Sequence, residues 1–370
     1  MSANAAGSVY FVVPDTIDDP DRVSGGNVYD QHLRDGLTGL GWRVCAILIS
    51  EDSGQRFALA LAELPDGATV LVDGLVAVAQ SATLIAHSGR LRVIVLAHMV
   101  ASILSEAGST GRTAEPDPRG TSLPEVAGRE RRTLHAAERV IATSQWTRTE
   151  LIARRLAEPQ SIVVAPPGTD PAAATTASDA GDRLLCVGAV APHKGQDLLV
   201  DALLGLADIA GWTCTFAGAL GAAPEFVAGL TRSVGSAGLT DRIAFTGVLT
   251  GQSLADAYAS TDLVVAPSRV ESYGMAVAEA VARGIPVIAA RTGGLPEAIS
   301  QTKGAIIVPP DDAPALDAAL RHWWAAPSAR ATLKAEALKG RASVRPWATT
   351  TSIVSSTLED VAHARVASTA

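Results

Sequence analysis

Short apolar runs rich in β-branched residues alternate with longer helix-favouring stretches along nearly the whole chain. A strand that is apolar throughout is buried on both faces, which is typical of a parallel sheet covered by helices. The alternation occurs in both halves, and 370 residues exceed what one hydrophobic core usually covers. We therefore expect two doubly wound α/β domains.

The predicted strands of the first half are residues 8–13, 43–49, 69–72, 92–96, 139–143 and 162–165. The predicted helices of that half are residues 25–40, 76–88, 123–137 and 146–156. In the second half, strands are predicted at 183–187, 213–217, 242–245, 262–266, 285–289 and 305–308, and helices at 196–206, 224–235, 252–259, 275–282 and 313–324. Residues 105–124 are rich in Gly, Ser, Thr and Pro and predict a loop, either a tolerated surface loop or one that closes over a ligand.

A break in the pattern separates the two halves. Residues 165–170 read Ala-Pro-Pro-Gly-Thr-Asp and lead into a small, polar, alanine-rich stretch. Such a stretch indicates a hinge between domains. We predict a first domain over residues 1–170, a second over 171–345 and a final helical segment over 346–370.

Two carboxylates, Glu271 and Glu279, flank Gly274 where a predicted strand passes through a loop into a helix. Free N–H groups at a helix start favour an anion, and a glycine lets it approach closely. Carboxylates accept hydrogen bonds from vicinal hydroxyls such as those of sugars. The spacing therefore fits a nucleotide sugar, and it fits two solvated acids at a helix start equally well.

The same stretch resembles the E-x7-E signature region of retaining glycosyltransferases of family 4, the glycosyl transferases group 1. The shared features are Ser268-Arg269, the Glu271 to Glu279 spacing, Gly284-Ile285-Pro286 and Gly293-Gly294-Leu295-Pro296-Glu297. The resemblance implies a GT-B architecture, in which two Rossmann-like doubly wound domains face each other across a cleft. It also implies that Glu271 contacts the donor sugar at the reaction centre and that Glu279 binds the nucleotide ribose.

Further positions in the second half resemble the donor site of that family. Lys194 lies in a loop similar to the phosphate-binding loop, although Ala189 stands where an arginine often occurs, so that Arg269 or His193 would have to replace its charge. The residues that the resemblance assigns to the donor phosphate and sugar are Gly26, Lys194, Arg269, Ser272, Tyr273, Gly274 and Met275. Those assigned to the nucleoside are Glu279, Val248 and Gly218, and the base itself is left open between uracil, guanine and adenine.

The first half contributes a loop and a histidine. Gly25 and Gly26 precede a predicted helix, which on that feature alone is most often an ordinary turn. The loop resembles the family's glycine-rich first loop, which implies that it faces the donor phosphates or, through Gly25 and Asn27, the acceptor. His98 follows the strand 92–96 at a ligand-binding edge, and a structural role is the commoner one for such a histidine. Its position resembles a family histidine placed against the donor sugar, and we group it with Glu271 as catalytic.

The charge and the cysteine content of the chain limit which partners and which cellular compartment are expected. The formal charge of −8 argues against nucleic acid. Three separated cysteines in apolar runs, Cys45, Cys186 and Cys214, predict core residues in a reducing compartment. Without a recognisable signal or anchor, we expect a cytoplasmic protein, and peripheral contact with the inner face of the membrane stays open.

The resulting hypothesis is a retaining transferase that moves a hexosyl-type group from a nucleoside-diphosphate sugar, a UDP- or GDP-sugar first of all, to a hydroxyl acceptor. The acceptor, whether glycan, lipid or small molecule, is not readable. We expect no Asp-x-Asp metal site, metal-independent turnover and no cofactor besides the nucleotide-sugar co-substrate. The alternatives are an epimerase or hydrolase of the same architecture, and a non-catalytic subunit that binds a nucleotide sugar.

Overall fold

The computed structural model describes residues 7–50, 54–110, 122–175, 178–300 and 302–364. Within them the chain forms two separate six-stranded sheets, and every strand pair in both sheets is parallel. Alternate residues of the strands enter two different hydrophobic clusters in each sheet, so that helices cover both faces. The predicted pair of doubly wound domains is confirmed.

The first sheet consists of β1 (Ser8–Pro14), β2 (Arg43–Ile49), β3 (Thr69–Asp73), β4 (Arg92–Ala97), β5 (Arg139–Ala142) and β6 (Ile162–Val164). Its helices are α1 (Gly25–Gly39), α2 (Gly54–Ala62), α3 (Gly74–Ala79), α4 (Ser81–Ser88), α5 (Ala101–Thr110), α6 (Leu123–Ala136) and α7 (Gln145–Ala153). Side-chain caps fix several starts: Ser24 accepts a hydrogen bond at the first turn of α1, Asp73 at that of α3 and Ser144 at that of α7.

The second sheet consists of β7 (Arg183–Val187), β8 (Thr213–Ala217), β9 (Ile243–Gly247), β10 (Leu263–Ala266), β11 (Val287–Ala290) and β12 (Ala305–Val308). Its helices are α8 (Gln196–Leu204), α9 (Pro224–Ser236), α10 (Gly251–Ala259), α11 (Met275–Ala282), α12 (Leu295–Ala298), α13 (Ala313–Ala325) and α14 (Pro327–Gly340). A last helix, α15 (Trp347–Ala364), follows. None of the helices in the described parts of the chain is long and apolar enough to cross a membrane.

Strand order sets where ligands can bind. The first sheet runs β2-β1-β3-β4-β5-β6, and the second runs β12-β11-β10-β7-β8-β9, the order of a dinucleotide-binding fold. The order reverses between β1 and β3 in the first sheet and between β7 and β10 in the second. In open α/β sheets ligands bind at such switch points, beyond the carboxyl ends of the strands.

Several predicted elements differ from those observed. The predicted helix 76–88 is two helices, because Asp73 starts α3 early and Gln80 has non-helical backbone angles that separate it from α4. The predicted loop 105–124 is wrong at both ends: α5 continues to Thr110 and α6 begins at Leu123, while residues 111–121 lie outside the described part. Helices α2, α5, α12 and α14 were not predicted from the sequence.

The last helix packs on the first domain. Val354, Leu358 and Val361 of α15 enter the cluster that also holds Val9 and Phe11 of β1. At the hinge, the Thr169 N–H donates to the Arg345 carbonyl at 2.8 Å. The chain therefore leaves the first domain and returns to it through neighbouring segments.

Candidate functional site

The switch point of the second sheet brings together two residues predicted from sequence. Lys194 follows β7 at the end of a 3-10 turn, Pro192–Lys194, and Glu271 follows β10. The Lys194 Nζ lies 2.6 Å from Glu271 Oε2. Both side chains are largely shielded, with relative exposures of 22% and 15%. Two distant sequence segments thus form one ion pair at the edge where this fold binds ligands.

A small cavity lies beside this ion pair. Lys194, Glu271, Ser268 and Gln196 supply its polar groups, and Gly274 and Val277 line it from the start of α11. Gly274 is the N-cap of α11 with a φ of +102°, in the left-handed region that glycine tolerates. The first N–H groups of an α-helix lack intrahelical acceptors, so the start of α11 favours an anion.

Close backbone packing holds the Glu271 loop in place. The Gly294 N–H donates to the Glu271 carbonyl at 2.9 Å. A Cβ on Gly293 would lie 1.6 Å from that carbonyl oxygen, and one on Gly294 would lie 2.3 Å from the Ser272 carbonyl oxygen. The two glycines are therefore required for the β11 to α12 loop to support Glu271.

Arg269 does not present its guanidinium to the cavity. It forms a bidentate pair with Asp197 at 2.7 and 2.8 Å, contacts Asp311 at 2.8 Å and donates to the Pro192 carbonyl at 2.8 Å. Four of the five N–H donors of a guanidinium are thereby used. The arrangement does not support the predicted phosphate contact of Arg269 and instead fixes the Pro192–Lys194 turn.

The other predicted substitute for the missing arginine, His193, supplies no charge to the phosphate loop either. Burial, together with the nearby Lys194 charge, lowers the pKa of His193 to about 4. At Ala189 the backbone carbonyl accepts a hydrogen bond from the Gln196 amide at 2.9 Å, which holds the loop without adding charge. In this loop Lys194 is thus the cation next to the cavity.

Glu279 projects from a different side of α11 and does not line the cavity of Lys194 and Glu271. Burial raises its pKa, and this outweighs the Arg283 charge and a hydrogen bond from Tyr258, while the Asp170 charge raises it further. The Arg283 guanidinium lies over the Tyr258 ring, 4.4 Å from its centroid. The predicted ribose contact of Glu279 stays a prediction.

The remaining predicted residues of the second domain have mixed surroundings. A Cβ on Gly218 would lie 2.0 Å from the Gly188 carbonyl oxygen, so a close approach of two loops requires glycine there. Val248 is half-buried just after β9. Tyr273 is half-buried, and burial raises the pKa of its hydroxyl. The contacts of Gly218, Val248 and Tyr273 with the donor stay predictions.

The glycine loop of the first domain reaches across to the second. A Cβ on Gly25 would lie 3.4 Å from the sulfur of Met275, the first residue of α11, and one on Gly26 would lie 3.4 Å from the His98 ring. The Asn27 amide, in contrast, donates to the carbonyls of Thr16 and Arg22 at 3.0 and 3.1 Å. Asn27 therefore holds its own loop, and its predicted acceptor-side role is not supported by its side-chain contacts.

His98 lies between two buried carboxylates that sequence analysis missed. Its Nε2 is 2.8 Å from Asp30 Oδ1 and 3.6 Å from Asp73 Oδ2. Burial opposes protonation of the imidazole, but the two carboxylate charges and the hydrogen bond to Asp30 outweigh it and raise the pKa of His98. Burial raises the pKa of Asp30 to about 6. One signal was available in the sequence, because Asp73 directly follows the predicted strand 69–72.

Two observations bear on metal binding. Ligand atoms of Asp30, Asp73 and His98 lie within 4.8 Å of one another, which a small cation could span, but the direct contact of imidazole and carboxylate already pairs the charges. The expectation of no Asp-x-Asp triplet is wrong as to sequence, since Asp19-Pro20-Asp21 occurs after β1. There Asp19 accepts a hydrogen bond from the Asp21 N–H at 2.9 Å. Metal-independent turnover stays a prediction.

Solved structures share this architecture over nearly the whole chain. A sucrose-phosphate synthase from Thermosynechococcus elongatus is 19% identical, with a TM-score of 0.79 over 97% of this chain and 100% of that one. The Anabaena protein HepE in complex with UDP-glucose is 17% identical, with a TM-score of 0.72 over 95% of this chain and 99% of that one. The protein therefore has the GT-B fold, two Rossmann-like domains that face each other across a cleft.

Sequence matches to known proteins cover part of the chain. Residues 181–325 match the family described as Glycosyl transferases group 1. A D-inositol 3-phosphate glycosyltransferase from Kineococcus radiotolerans is 34% identical over 259 residues, which cover 61% of this chain and 59% of that relative. The match thus spans little more than half the length of the curated relative. The match to the group 1 glycosyltransferases thus lies in the second domain, and the GT-B fold extends over both domains.

Proposed function

We propose that the protein is a retaining glycosyltransferase that moves a hexosyl-type group from a nucleoside-diphosphate sugar to a hydroxyl acceptor. The observation that supports this most is the pair of Lys194 and Glu271 at the switch point of the second sheet, beside a cavity and the start of α11. A cation, helix N–H groups and a carboxylate in one place match a diphosphate linked to a sugar.

In the proposed reaction, the bond between the anomeric carbon and the phosphate oxygen breaks, and its electron pair stays on the phosphate. Lys194 and the N–H groups at the start of α11 stabilise the negative charge that develops there. Glu271 stabilises the positive charge on the anomeric carbon and orients the sugar. The acceptor oxygen forms its bond on the same face, and its proton passes to the departing phosphate.

The donor and acceptor are proposed at the level of chemical class. UDP-sugars are the first donors to test because one structural neighbour was solved with UDP-glucose, and GDP-sugars come next. The acceptor is a hydroxyl compound held by the first domain, with inositol phosphate the first choice because the curated relatives are named for it. We propose that the enzyme turns over in the cytoplasm without a metal or any cofactor besides the nucleotide-sugar co-substrate. Peripheral contact with a membrane would depend on whether the acceptor is a lipid.

Thermal unfolding in the presence of UDP, GDP, ADP and their common sugars, without added metal, tests the donor. A ligand at a hundredfold its dissociation constant stabilises a protein by about 2.7 kcal/mol. We expect one nucleotide to raise the unfolding temperature selectively, and Glu279→Ala to weaken that effect. The absence of a shift with every nucleotide would contradict the proposal.

Product analysis tests the chemistry. With the stabilising donor and a panel of hydroxyl acceptors, we expect transfer that survives EDTA and is abolished in Glu271→Gln, which keeps the size of the side chain. Glu336→Gln, which changes a partly exposed carboxylate on α14, is the matched control and should transfer normally. Near-normal transfer by Glu271→Gln would refute the role of Glu271.

A second candidate, a non-catalytic subunit that binds a nucleotide sugar, is favoured by one observation. The phosphate loop has Ala189 in place of an arginine, and Arg269 is bound by Asp197 and Asp311. This candidate predicts donor binding without consumption. An epimerase or hydrolase, by comparison, would consume the donor in the absence of an acceptor.

A further inference from the structure

The second domain provides little net positive charge for a diphosphate. Lys194 is already paired with Glu271 at 2.6 Å, and Arg269 is bound by Asp197 and Asp311. His193 is neutral at pH 7, because burial and the Lys194 charge lower its pKa to about 4. A further charged donor would have to come from the facing domain.

His98 lies on the opposite wall of the same cleft. A Cβ on Gly26 would lie 3.4 Å from its ring, and one on the adjacent Gly25 would lie 3.4 Å from the sulfur of Met275 at the start of α11. Helix α5, which begins three residues after His98, packs against the Pro192–Lys194 turn. Val270, next to Glu271, packs against the hydrophobic cluster of the first domain. The contact of Gly25 with Met275 therefore places the loop beside His98 next to the start of α11, which lines the cavity of Lys194 and Glu271.

The two ring nitrogens of His98 have different surroundings. Nε2 is directed to Asp30 and Asp73, whereas Nδ1 has no hydrogen-bond partner in the parts of the chain that the structure describes. The ring retains a relative exposure of 10%. A ligand in the cleft can therefore meet Nδ1, and the protonation state of the imidazole decides whether that nitrogen donates or accepts.

The two carboxylates are unusual as purely structural groups. Asp30 is fully buried, and its Oδ2 has no partner in the described structure. A buried carboxylate with one unsatisfied oxygen destabilises a fold unless a nearby positive charge compensates it. Asp73 has a separate structural task, because its Oδ1 caps α3 through the Val76 N–H at 2.9 Å. The packing of α1 alone gives no reason for a charge at position 30.

We propose that Asp30, assisted by Asp73, is a positioning residue that keeps His98 protonated, so that Nδ1–H donates a charge-assisted hydrogen bond to an oxygen of the nucleotide sugar. This rests on the proposed function and deepens it. The oxygen belongs either to the diphosphate or to the sugar. The carboxylates lie behind the imidazole, so the ligand meets the cation first.

The other titratable groups on the elements around His98 are few. Tyr29 of α1 makes an edge contact with its ring, at a centroid distance of 5.1 Å, and burial raises the pKa of the tyrosine. Glu130 of α6 binds the N–H groups of Ala101 and Ser102 at the start of α5, and burial raises its pKa also. Asp30 and Asp73 are the charges that hold the imidazole protonated.

Titration of His98 by NMR in the full chain tests the proposal without any substrate. The protein has seven histidines, and His98→Gln assigns the signal. In the wild type we expect a midpoint above the usual value of about 6.5. In Asp30→Asn, which keeps the shape of the side chain, we expect it to fall below that value. Asp18→Asn, which removes an exposed carboxylate that pairs with Arg34 of α1, is the matched control and should leave it unchanged.

Three results would overturn the proposal: a wild-type midpoint at or below about 6.5, an unchanged midpoint in Asp30→Asn, or broadening of the His98 signal by one equivalent of Mn²⁺, which would identify a metal site instead. If Asp30→Asn fails to fold, Asp73→Asn takes its place, because asparagine can still cap α3. We expect that variant to lower the midpoint as well, and an unchanged midpoint there would overturn the proposal.

Calorimetry with UDP and with UDP-glucose between pH 6 and 9 then locates the ligand oxygen. If Nδ1–H binds the diphosphate, both affinities fall by up to about tenfold per pH unit above the midpoint. If it binds the sugar, only the affinity for UDP-glucose does so. In Asp30→Asn the fall moves to lower pH. Wild-type affinities that do not depend on pH would overturn the proposed hydrogen bond from Nδ1–H. If neither ligand binds at all, the proposed function is refuted, and the role of Asp30 is then tested by the NMR titration alone.

Discussion

The carboxylate of Glu297 in the second domain accepts a hydrogen bond from the backbone N–H of Trp146 in the first domain, at 2.7 Å. Its other oxygen accepts from the Gln145 N–H at 2.9 Å. These N–H groups are the first two of α7, where an α-helix lacks internal acceptors and carries a partial positive charge. One side chain thus joins α12 to α7 and holds the two domains together at the cleft.

Replacement of Glu297 by Ala should favour an open arrangement of the domains. Loss of a carboxylate cap costs about 1 kcal/mol, which corresponds to a roughly fivefold change in the equilibrium between closed and open forms. Small-angle scattering should show a larger radius of gyration, and the KM for the donor should rise. The radius of gyration and the KM of Glu297→Gln should lie between those of the wild type and Glu297→Ala, because the glutamine amide keeps only one acceptor oxygen.

Glu336→Gln serves as the control for this experiment, since Glu336 pairs with Lys339 on the exposed side of α14. It should leave both quantities unchanged. A radius of gyration that is the same in the wild type and Glu297→Ala would show that the contact does not determine the closed arrangement.

Gly293→Ala should disrupt the Glu271 loop. Gly293 and Gly251 both have left-handed backbones, with φ values of +55° and +52°, but only Gly293 is crowded. We expect Gly251→Ala to cost about 1 kcal/mol from backbone strain alone, and Gly293→Ala to cost more than about 3 kcal/mol and to abolish nucleotide binding. Urea unfolding and calorimetry measure the two effects. Equal losses of stability in the two variants would refute the packing argument.

Glu279→Gln should stabilise the fold at neutral pH while it weakens nucleotide binding. A carboxyl group whose pKa is higher in the folded chain stabilises the fold below its unfolded pKa of about 4.3, and loses this contribution as the pH rises through the folded pKa. Burial raises the pKa of Glu279 in this way, so its ionised form is unfavourable at pH 7. Thermal unfolding at pH 5 and pH 7.5 should show a larger gain at the higher pH.

Nucleotide affinity of the wild type should fall on the acid side, as protonation of Glu279 removes a hydrogen-bond acceptor for ribose hydroxyls. In Glu279→Gln this acid limb should be absent. If the nucleotide affinity of Glu279→Gln still falls at acid pH, a group other than Glu279 causes that fall.

Asp262 should make the second domain sensitive to acid. Its carboxylate is fully buried and binds Arg183 at 3.0 and 3.1 Å and the Ser178 hydroxyl at 2.8 Å. Burial alone would raise its pKa, but these hydrogen bonds outweigh it and the pKa of Asp262 is lowered. A group of this kind stabilises the fold above its unfolded pKa of about 3.9, and the contribution is lost as the pH falls through the folded pKa.

Asp262→Ala should therefore lose roughly 3 kcal/mol at pH 7 and show less further loss between pH 5 and pH 3 than the wild type. Urea unfolding at these pH values measures both quantities. A partly exposed acid supplies the control: Asp317→Ala removes an ion pair with Arg321 on α13 and should change stability little. Equal acid sensitivity in wild type and Asp262→Ala would refute the assignment.

The strands and the location of Lys194 and Glu271 at one edge of the sheet could be predicted from the sequence for a physical reason. Buried parallel strands need continuous apolar runs, so their positions are visible in the chain itself. Loops that follow strands of one parallel sheet meet at one edge, and therefore Lys194 and Glu271 could be expected at the same site. Helix α14 was missed because it buries Arg330, Ala337 and Gly340 instead of an apolar face.

The partners of individual charged side chains could not be predicted from the sequence. The sequence presents Arg269 as a free cation near the signature, and only the folded chain shows Asp197 and Asp311 around it. Asp30 is one polar residue in an amphipathic helix, and nothing near it in sequence indicates His98, which lies 68 positions away.

The sequence by itself determined the two doubly wound domains, the position of the segment that connects them and the segments that supply the site, because these depend on local patterns of burial and turn formation. Only the tertiary structure decided which charges are paired and which are free to meet a ligand: Arg269 is occupied, Lys194 is held by Glu271, and His98 is held by Asp30 and Asp73. The physical reason is that electrostatic interactions depend on distances of a few ångströms between side chains, and those distances are set when remote segments pack together.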